Sequence, residues 1–130
     1  MTEHELQNQI RAALSEYGKV FRMNAGQFWQ GKRVFSREFQ AEVLLGPRRV
    51  EGLPEGFPDL LFLDGRGAAF IEVKTKAGRV SAQQKHFLET MRRDGHRAGV
   101  ARSVGDALAI IRADTFSGNV SQDGGRTERV

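Results

Sequence analysis

The stretch "GFPDLLFLDGRGAAFIEVK" (residues 56–74) holds two apolar runs on either side of Asp64-Gly65-Arg66-Gly67. A glycine-rich turn between apolar runs is a strong β-hairpin signal. Three charges interrupt the runs, Asp59 near the start and Glu72 and Lys74 near the end. Charges placed where a hairpin packs into a core are costly unless paired or bound to something. The fold and the function both turn on why they are there.

Strand alternation predicts Phe70, Glu72 and Lys74 on one face and Ile71 and Val73 on the other. If the hairpin closes on Gly65-Arg66, Asp59 stands directly opposite Glu72. Closure on Asp64-Gly65 would move it out of line. Opposed residues place their Cβ atoms roughly 4.5–5.5 Å apart, and like charges there are destabilising. A shared divalent cation turns that repulsion into a ligand set, because hard cations such as Mg²⁺ take carboxylate oxygens, backbone carbonyls and water. Lys74, on the face of Glu72, would orient a water molecule or offset negative charge on a phosphate. The plainer alternative is a half-exposed hairpin whose acids and lysine pair across the strands.

Outward from the hairpin, residues 2–17 read as a helix, with Leu6, Ile10, Ala13 and Leu14 on one stripe. Thr2 and Glu5 form a capping box, and Gly18 ends the helix. "KVFRM" (19–23) is a short strand, "NAGQFWQG" (24–31) a loop, and 32–45 is extended without a clear period. Residues 46–58 carry all three prolines and read as a loop, with a short strand at 48–51 as an option. A second helix (81–94) opens on Ser81 and Gln84 and stops at Gly95. A strand (96–103) and a last helix through Arg112, capped by Ser103, follow. The order predicts an α/β sandwich around a mixed sheet, one domain over 1–114, with 115–130 a flexible polar, glycine-rich tail.

The chain has 130 residues and no cysteine, which excludes a disulfide framework and thiolate metal sites. No apolar run approaches a membrane span and the first ten residues lack a signal-peptide pattern, so a cytoplasmic location is expected. A net charge of +4 and pI near 10.0, with basic pairs at Lys32-Arg33, Arg48-Arg49 and Arg92-Arg93, fit either a solvated basic surface or a nucleic-acid footprint. Charge alone does not decide between them. Phe28 and Trp29 read as packing or dimer contacts before base-stacking residues, and His86 as a solvated residue.

Pro58-Asp59 followed by Glu72-Val73-Lys74 resembles the PD-(D/E)XK nuclease superfamily. The fuller pattern "GFPDLLFL" (56–63) with "AAFIEVKTKAGRVSAQQKHFLETMRRDGHRAGVARS" (68–103) resembles its VRR-NUC branch. The shared features are a glycine before the PD, Ser81 and Gln84 opening the next helix, and Gly95 ending it. "VFRMNAG" (20–26) resembles the small stand-alone, often phage-encoded members, and the likeness spans roughly residues 3–112. It implies a restriction-endonuclease-like αβββαβ core, a mixed central sheet flanked by helices. It also implies metal-binding carboxylates at Asp59 and Glu72, with the Val73 carbonyl as a further ligand, a catalytic lysine at Lys74, and Gln84 close to the site. Ser81 and Gln84 also make a capping box by themselves, so both roles stand. The family's first-helix glutamate would be Glu3, which shares the Leu6–Ile10–Leu14 stripe, whereas Glu5 points away and already caps. Arg22, Asn24, Lys76 and Arg79 would contact DNA.

The activity so implied is a Mg²⁺- or Mn²⁺-dependent endodeoxyribonuclease. It would be a homodimer selective for branched DNA such as four-way junctions, working with replication or recombination partners in a bacterial or phage-infected cell. A DNA-binding subunit of the same fold that needs a partner for catalysis is the alternative. Intact Asp59, Glu72 and Lys74 argue against it.

Overall fold

The structure is a computed structural model and describes residues 1–115; the expected tail from residue 116 onward lies outside the described residues. Helix α1 (Glu3–Leu14) starts at a Thr2 cap whose side chain accepts from Glu5 N, with Glu5 reaching back to the Thr2 N–H. Strands β1 (Lys19–Arg22), β4 (Leu60–Asp64), β5 (Gly67–Val73) and β6 (Arg97–Ala101) form one sheet in the order β1-β4-β5-β6. The first two neighbour pairs are antiparallel and β5 pairs with β6 in parallel, so the sheet is mixed. Helix α2 (Ala82–Arg93) makes the crossover between the parallel strands, and α3 (Val104–Arg112) follows β6. This is the expected αβββαβ order with a closing helix.

One face of the sheet is covered by α1 and α3. Leu6, Ile10 and Leu14 from α1 and Ala107 and Ile111 from α3 pack on Leu60, Phe62, Ala69, Ile71, Val73 and Ala101. Full burial of such an aliphatic or aromatic side chain stabilises by about 1.5–3 kcal/mol. The other face meets α2 through Phe70, whose ring lies 5.6 Å from that of Phe87 and 6.1 Å from that of Phe57. Ile71 and Val73 therefore face the main core and Phe70 the α2 side, as alternation predicts.

The β4–β5 hairpin closes on Gly65-Arg66, with Asp64 paired to Gly67. Asp64 Oδ1 accepts from the Arg66 N–H at 2.9 Å, and Gly67 takes φ +116°, a conformation that favours glycine. Arg97, only 3% exposed, lies behind this turn. Its guanidinium donates to both Asp64 carboxylate oxygens at 2.7 and 3.0 Å and to the carbonyls of Gly67 and Ile111. Arg66 donates to the Ile111 and Ala113 carbonyls. Two cations thus meet the C-terminal carbonyls of α3, where the helix dipole is negative. The Arg97 hydrogen bonds hold the Asp64 carboxyl below its usual range.

The middle of the chain departs from expectation. Residues 24–31 and 46–58 are not simply loops: β2 (Gln27–Ser36) and β3 (Ala41–Glu51) form a long hairpin of their own, a separate two-stranded sheet. Its register shifts between Gln30 and Lys32, where Gly31 faces Gly46 and Pro47. A Cβ on Gly31 would fall 2.8 Å from the Leu45 carbonyl oxygen, so this bulge needs the glycine. Proline is tolerated in a strand at such a bulge, which explains why a Gly-Pro pair that reads as a loop sits inside one.

Candidate active site

Because Leu60 pairs with Ile71, the next rung outward sets Asp59 against Glu72. The Val73 N–H donates to Asp59 Oδ2 at 2.9 Å, and the Asp59 carbonyl accepts from Met23 N at 2.8 Å. The aspartate is held between β5 and the end of β1, with Oδ1 left out of the Val73 bond. Pro58 before it is buried where no ladder N–H is required.

Glu72 is 1% exposed. Its Oε2 accepts from Gln84 Nε2 at 3.0 Å and lies 3.2 Å from Lys74 Nζ. Its Oε1 is buried with no hydrogen-bond partner. Burial pushes this carboxyl up to about 7, the negative charge of Asp59 adds to the rise, and Lys74 only partly offsets it. One buried carboxylate oxygen without a partner, beside a second carboxylate, is the electrostatic condition that a cation relieves.

Gln84 is the third residue of the α2 capping box. Its Oε1 accepts from the Ser81 N–H at 2.9 Å while its Nε2 reaches Glu72. The cap and the contact to Glu72 are therefore two ends of one amide. An open polar cleft of about 420 Å³ runs past these groups, lined among others by Gln7, Arg22, Asn24, Asp59 and Gln84.

Glu3 is half-buried on α1 and is not among the cleft residues, and Glu5 is exposed and occupied by the cap. Gln7, one turn beyond Glu3 on the same face, lines the cleft instead. It is 7% exposed, and its Oε1 has no partner. Reading the sequence for an acid passes over it, although a polar residue on an apolar stripe is itself the signal. Arg22 and Asn24 line the cleft, while Lys76 and Arg79 lie exposed on the segment after β5.

That segment is held by a residue the sequence did not single out. Arg102 Nη1 donates to the carbonyls of Thr75 at 2.7 Å and Gly78 at 2.8 Å. A Cβ on Gly78 would lie 3.3 Å from Lys74 Cδ, so the clamped turn packs along the lysine stem.

Among the described residues no group of three or more His, Cys, Asp or Glu side chains gathers around one point. The oxygen donors are two carboxylates and an amide oxygen, all hard ligands of the kind Mg²⁺ and Mn²⁺ accept. The residues present fit such an ion. No described helix is long and apolar enough to cross a membrane.

No curated protein matches this chain. A solved structure of a VRR-NUC domain is 21% identical in sequence, with 84% of this chain and 92% of that one covered at a TM-score of 0.48. The family model of the VRR-NUC domain matches residues 1–105, from the start of α1 into α3 and across the whole cleft. The chain therefore belongs to the VRR-NUC domain family, a nuclease-type family with a DNA-related function.

Proposed function

We propose that this protein is a divalent-metal-dependent endodeoxyribonuclease that hydrolyses phosphodiester bonds in the cleft beside Asp59 and Glu72. The observation that carries the reading is the state of the two carboxylates. Each has one oxygen tied into the fold, Asp59 by the Val73 N–H and Glu72 by Gln84 and Lys74, and Glu72 Oε1 is buried and unpaired. Asp59, Glu72 and the Val73 carbonyl would hold Mg²⁺ or Mn²⁺. Bound there, the ion supplies a water acidified toward neutrality and positive charge against the phosphate.

The chain's own groups do the rest. Gln84 fixes the rotamer of Glu72, so that Oε1 stays turned away from its hydrogen bonds. The Lys74 ammonium, 3.2 Å from Glu72 Oε2, orients the attacking water and faces the negative charge that grows on the phosphate oxygens. As the water oxygen bonds to phosphorus, the bond to the leaving sugar oxygen breaks. Arg22 and Asn24 on the cleft wall suit backbone phosphates. Branched DNA, four-way junctions first, is the preferred substrate that the resemblance to small stand-alone members supports.

The test is cleavage of labelled four-way junction, flap, duplex and single-stranded DNA with Mg²⁺, Mn²⁺ or EDTA. Metal-dependent cutting that disappears in Asp59→Ala and Lys74→Ala, with DNA binding by Lys74→Ala largely kept, is the expected result. Parental activity in Lys74→Ala would refute the mechanism. Cutting spread evenly over all substrates would keep the nuclease and remove the preference for branches.

A further inference from the structure

The β5 ladder ends at Val73, and Lys74 keeps one last sheet bond, its N–H donating to the Ala101 carbonyl at 3.1 Å. The chain then leaves the sheet as a turn, closed by the Gly78 N–H on the Thr75 carbonyl at 3.0 Å. A surface turn of this kind is mobile unless something ties it down. Arg102, the residue after Ala101, does so. Its Nη1 donates to the Thr75 and Gly78 carbonyls at 2.7 and 2.8 Å, with the Lys76 carbonyl at 3.5 Å. The Arg102 backbone is anchored in turn, its N–H donating to Asp106 Oδ2 at 2.9 Å in the first turn of α3. One side chain thus fastens both ends of the turn to the end of β6.

What the turn covers is the stem of Lys74, whose side chain is 13% exposed. A Cβ on Gly78 would sit 3.3 Å from Lys74 Cδ and 3.4 Å from Lys74 Cβ. Gly78 is not among the glycines with a left-handed backbone, so the close approach to the lysine is what calls for it. A lysine stem has four rotatable bonds and gives up much rotamer freedom when held in one place. The Glu72 carboxylate holds the tip, 3.2 Å from Nζ, and the turn walls in the stem. We propose that Arg102 is a positioning residue for Lys74, keeping the ammonium beside Glu72 by holding the Thr75–Gly78 turn against the lysine stem. Arg102 does not line the cleft, so it acts through the lysine. The placement of Lys74 stands whatever the cleft does; its effect on cleavage rests on the nuclease reading.

Two variants separate the clamp from the rest of the fold. Arg102→Met keeps a side-chain stem and removes the carbonyl bonds. Gly78→Ala leaves the arginine in place and crowds the lysine with one methyl group. The first readout needs no DNA: limiting acetic anhydride is added to the folded, metal-free protein, and acetylation of Lys74 is scored against exposed Lys85 by peptide mass spectrometry. In the parent Lys74 should react several-fold more slowly than Lys85. Both variants should bring the ratio toward one while circular dichroism stays unchanged. The second readout is single-turnover cleavage against DNA concentration. The rate at saturation should fall roughly 10–100-fold, as for a misplaced reacting group, with the half-saturating DNA concentration nearly unmoved. A Lys74 that stays protected in both variants overturns the proposal, whether or not the protein cuts DNA. So does an exposed lysine with a parental cleavage rate, or a loss confined to DNA affinity. Exposure of Lys74 in the variants of a parent that cuts no DNA would keep the clamp and remove the nuclease reading instead.

Discussion

Gln84 Nε2 donates to Glu72 Oε2 at 3.0 Å while Gln84 Oε1 accepts from the Ser81 N–H at 2.9 Å, so one side chain fastens a helix start to a buried carboxylate. The two ends can be separated by mutation. Ser81→Ala removes the cap hydroxyl and leaves the Glu72 contact, costing about 1 kcal/mol of stability with cleavage nearly unchanged. Gln84→Ala removes both and is expected to lower cleavage about 10–100-fold, the usual effect of losing a group that orients a ligand. Thermal melts and single-turnover rates on both variants check this. Equal activity loss in both would make the glutamine purely structural.

Glu72 gives the fold a defined pH response. Its carboxyl is raised from 4.5 to about 7, so the unfolded chain ionises more readily than the folded one. The contribution to stability is therefore complete below the unfolded value and is lost as pH rises through the folded value. Without divalent cations, the parent should lose up to roughly 3 kcal/mol relative to Glu72→Gln between about pH 5 and about pH 8. Urea melts in EDTA at the two ends of that range measure it. Parallel pH profiles for parent and variant would show that the buried carboxyl carries no such penalty.

Gln7 offers a graded change at the same cleft. Gln7→Glu keeps the size of the side chain and adds a third carboxylate beside Asp59. More ligand charge strengthens binding of hard cations, and a gain of about tenfold in Mn²⁺ affinity corresponds to roughly 1.4 kcal/mol. Calorimetric titration with Mn²⁺ in the absence of DNA reads it directly. Unchanged affinity would place the ion away from α1.

Asp64 and Arg97 predict a loss that is purely structural. Asp64→Ala leaves a guanidinium that is 3% exposed without its carboxylate, and breaking a buried pair this way costs about 3–5 kcal/mol. Replacing both by apolar residues of similar size, Asp64→Leu with Arg97→Met, should cost much less. Denaturant melts of the single and double variants decide it. A single variant as stable as the double would mean that Arg97 is satisfied by the Gly67 and Ile111 carbonyls alone.

The parts of this architecture readable in the sequence are those set by local chemistry or by burial of one face. Asp64-Gly65-Arg66-Gly67 marked the turn, and the two-residue closure placed Asp59 against Glu72. Thr2 with Glu5 and Ser81 with Gln84 marked both helix starts as capping boxes. The β2–β3 arm was hidden because neither of its faces is packed, so apolar residues do not alternate along it. Gly46-Pro47 added a false loop signal that is really a bulge. Glu3 and Gln7 share one helical face, and only the position of the cleft distinguishes them. Arg97 could not be recognised as a buried charge, because its partners lie 33 and 14 residues away.

Strand β4 is bracketed by aspartates, Asp59 just before it and Asp64 at its end. The buried Arg97 cation takes its counter-charge from the Asp64 end, where it binds both carboxylate oxygens. The other end carries less structural duty: the Asp59 side chain accepts from the Val73 N–H and, among the described residues, binds no buried cation of the protein. A lineage can thus lose its chemistry at Asp59 and keep its shape, whereas drift at Asp64 costs stability unless Arg97 changes with it. Silent relatives of this protein, folded and inert, should differ from it first at the Asp59 end of that strand.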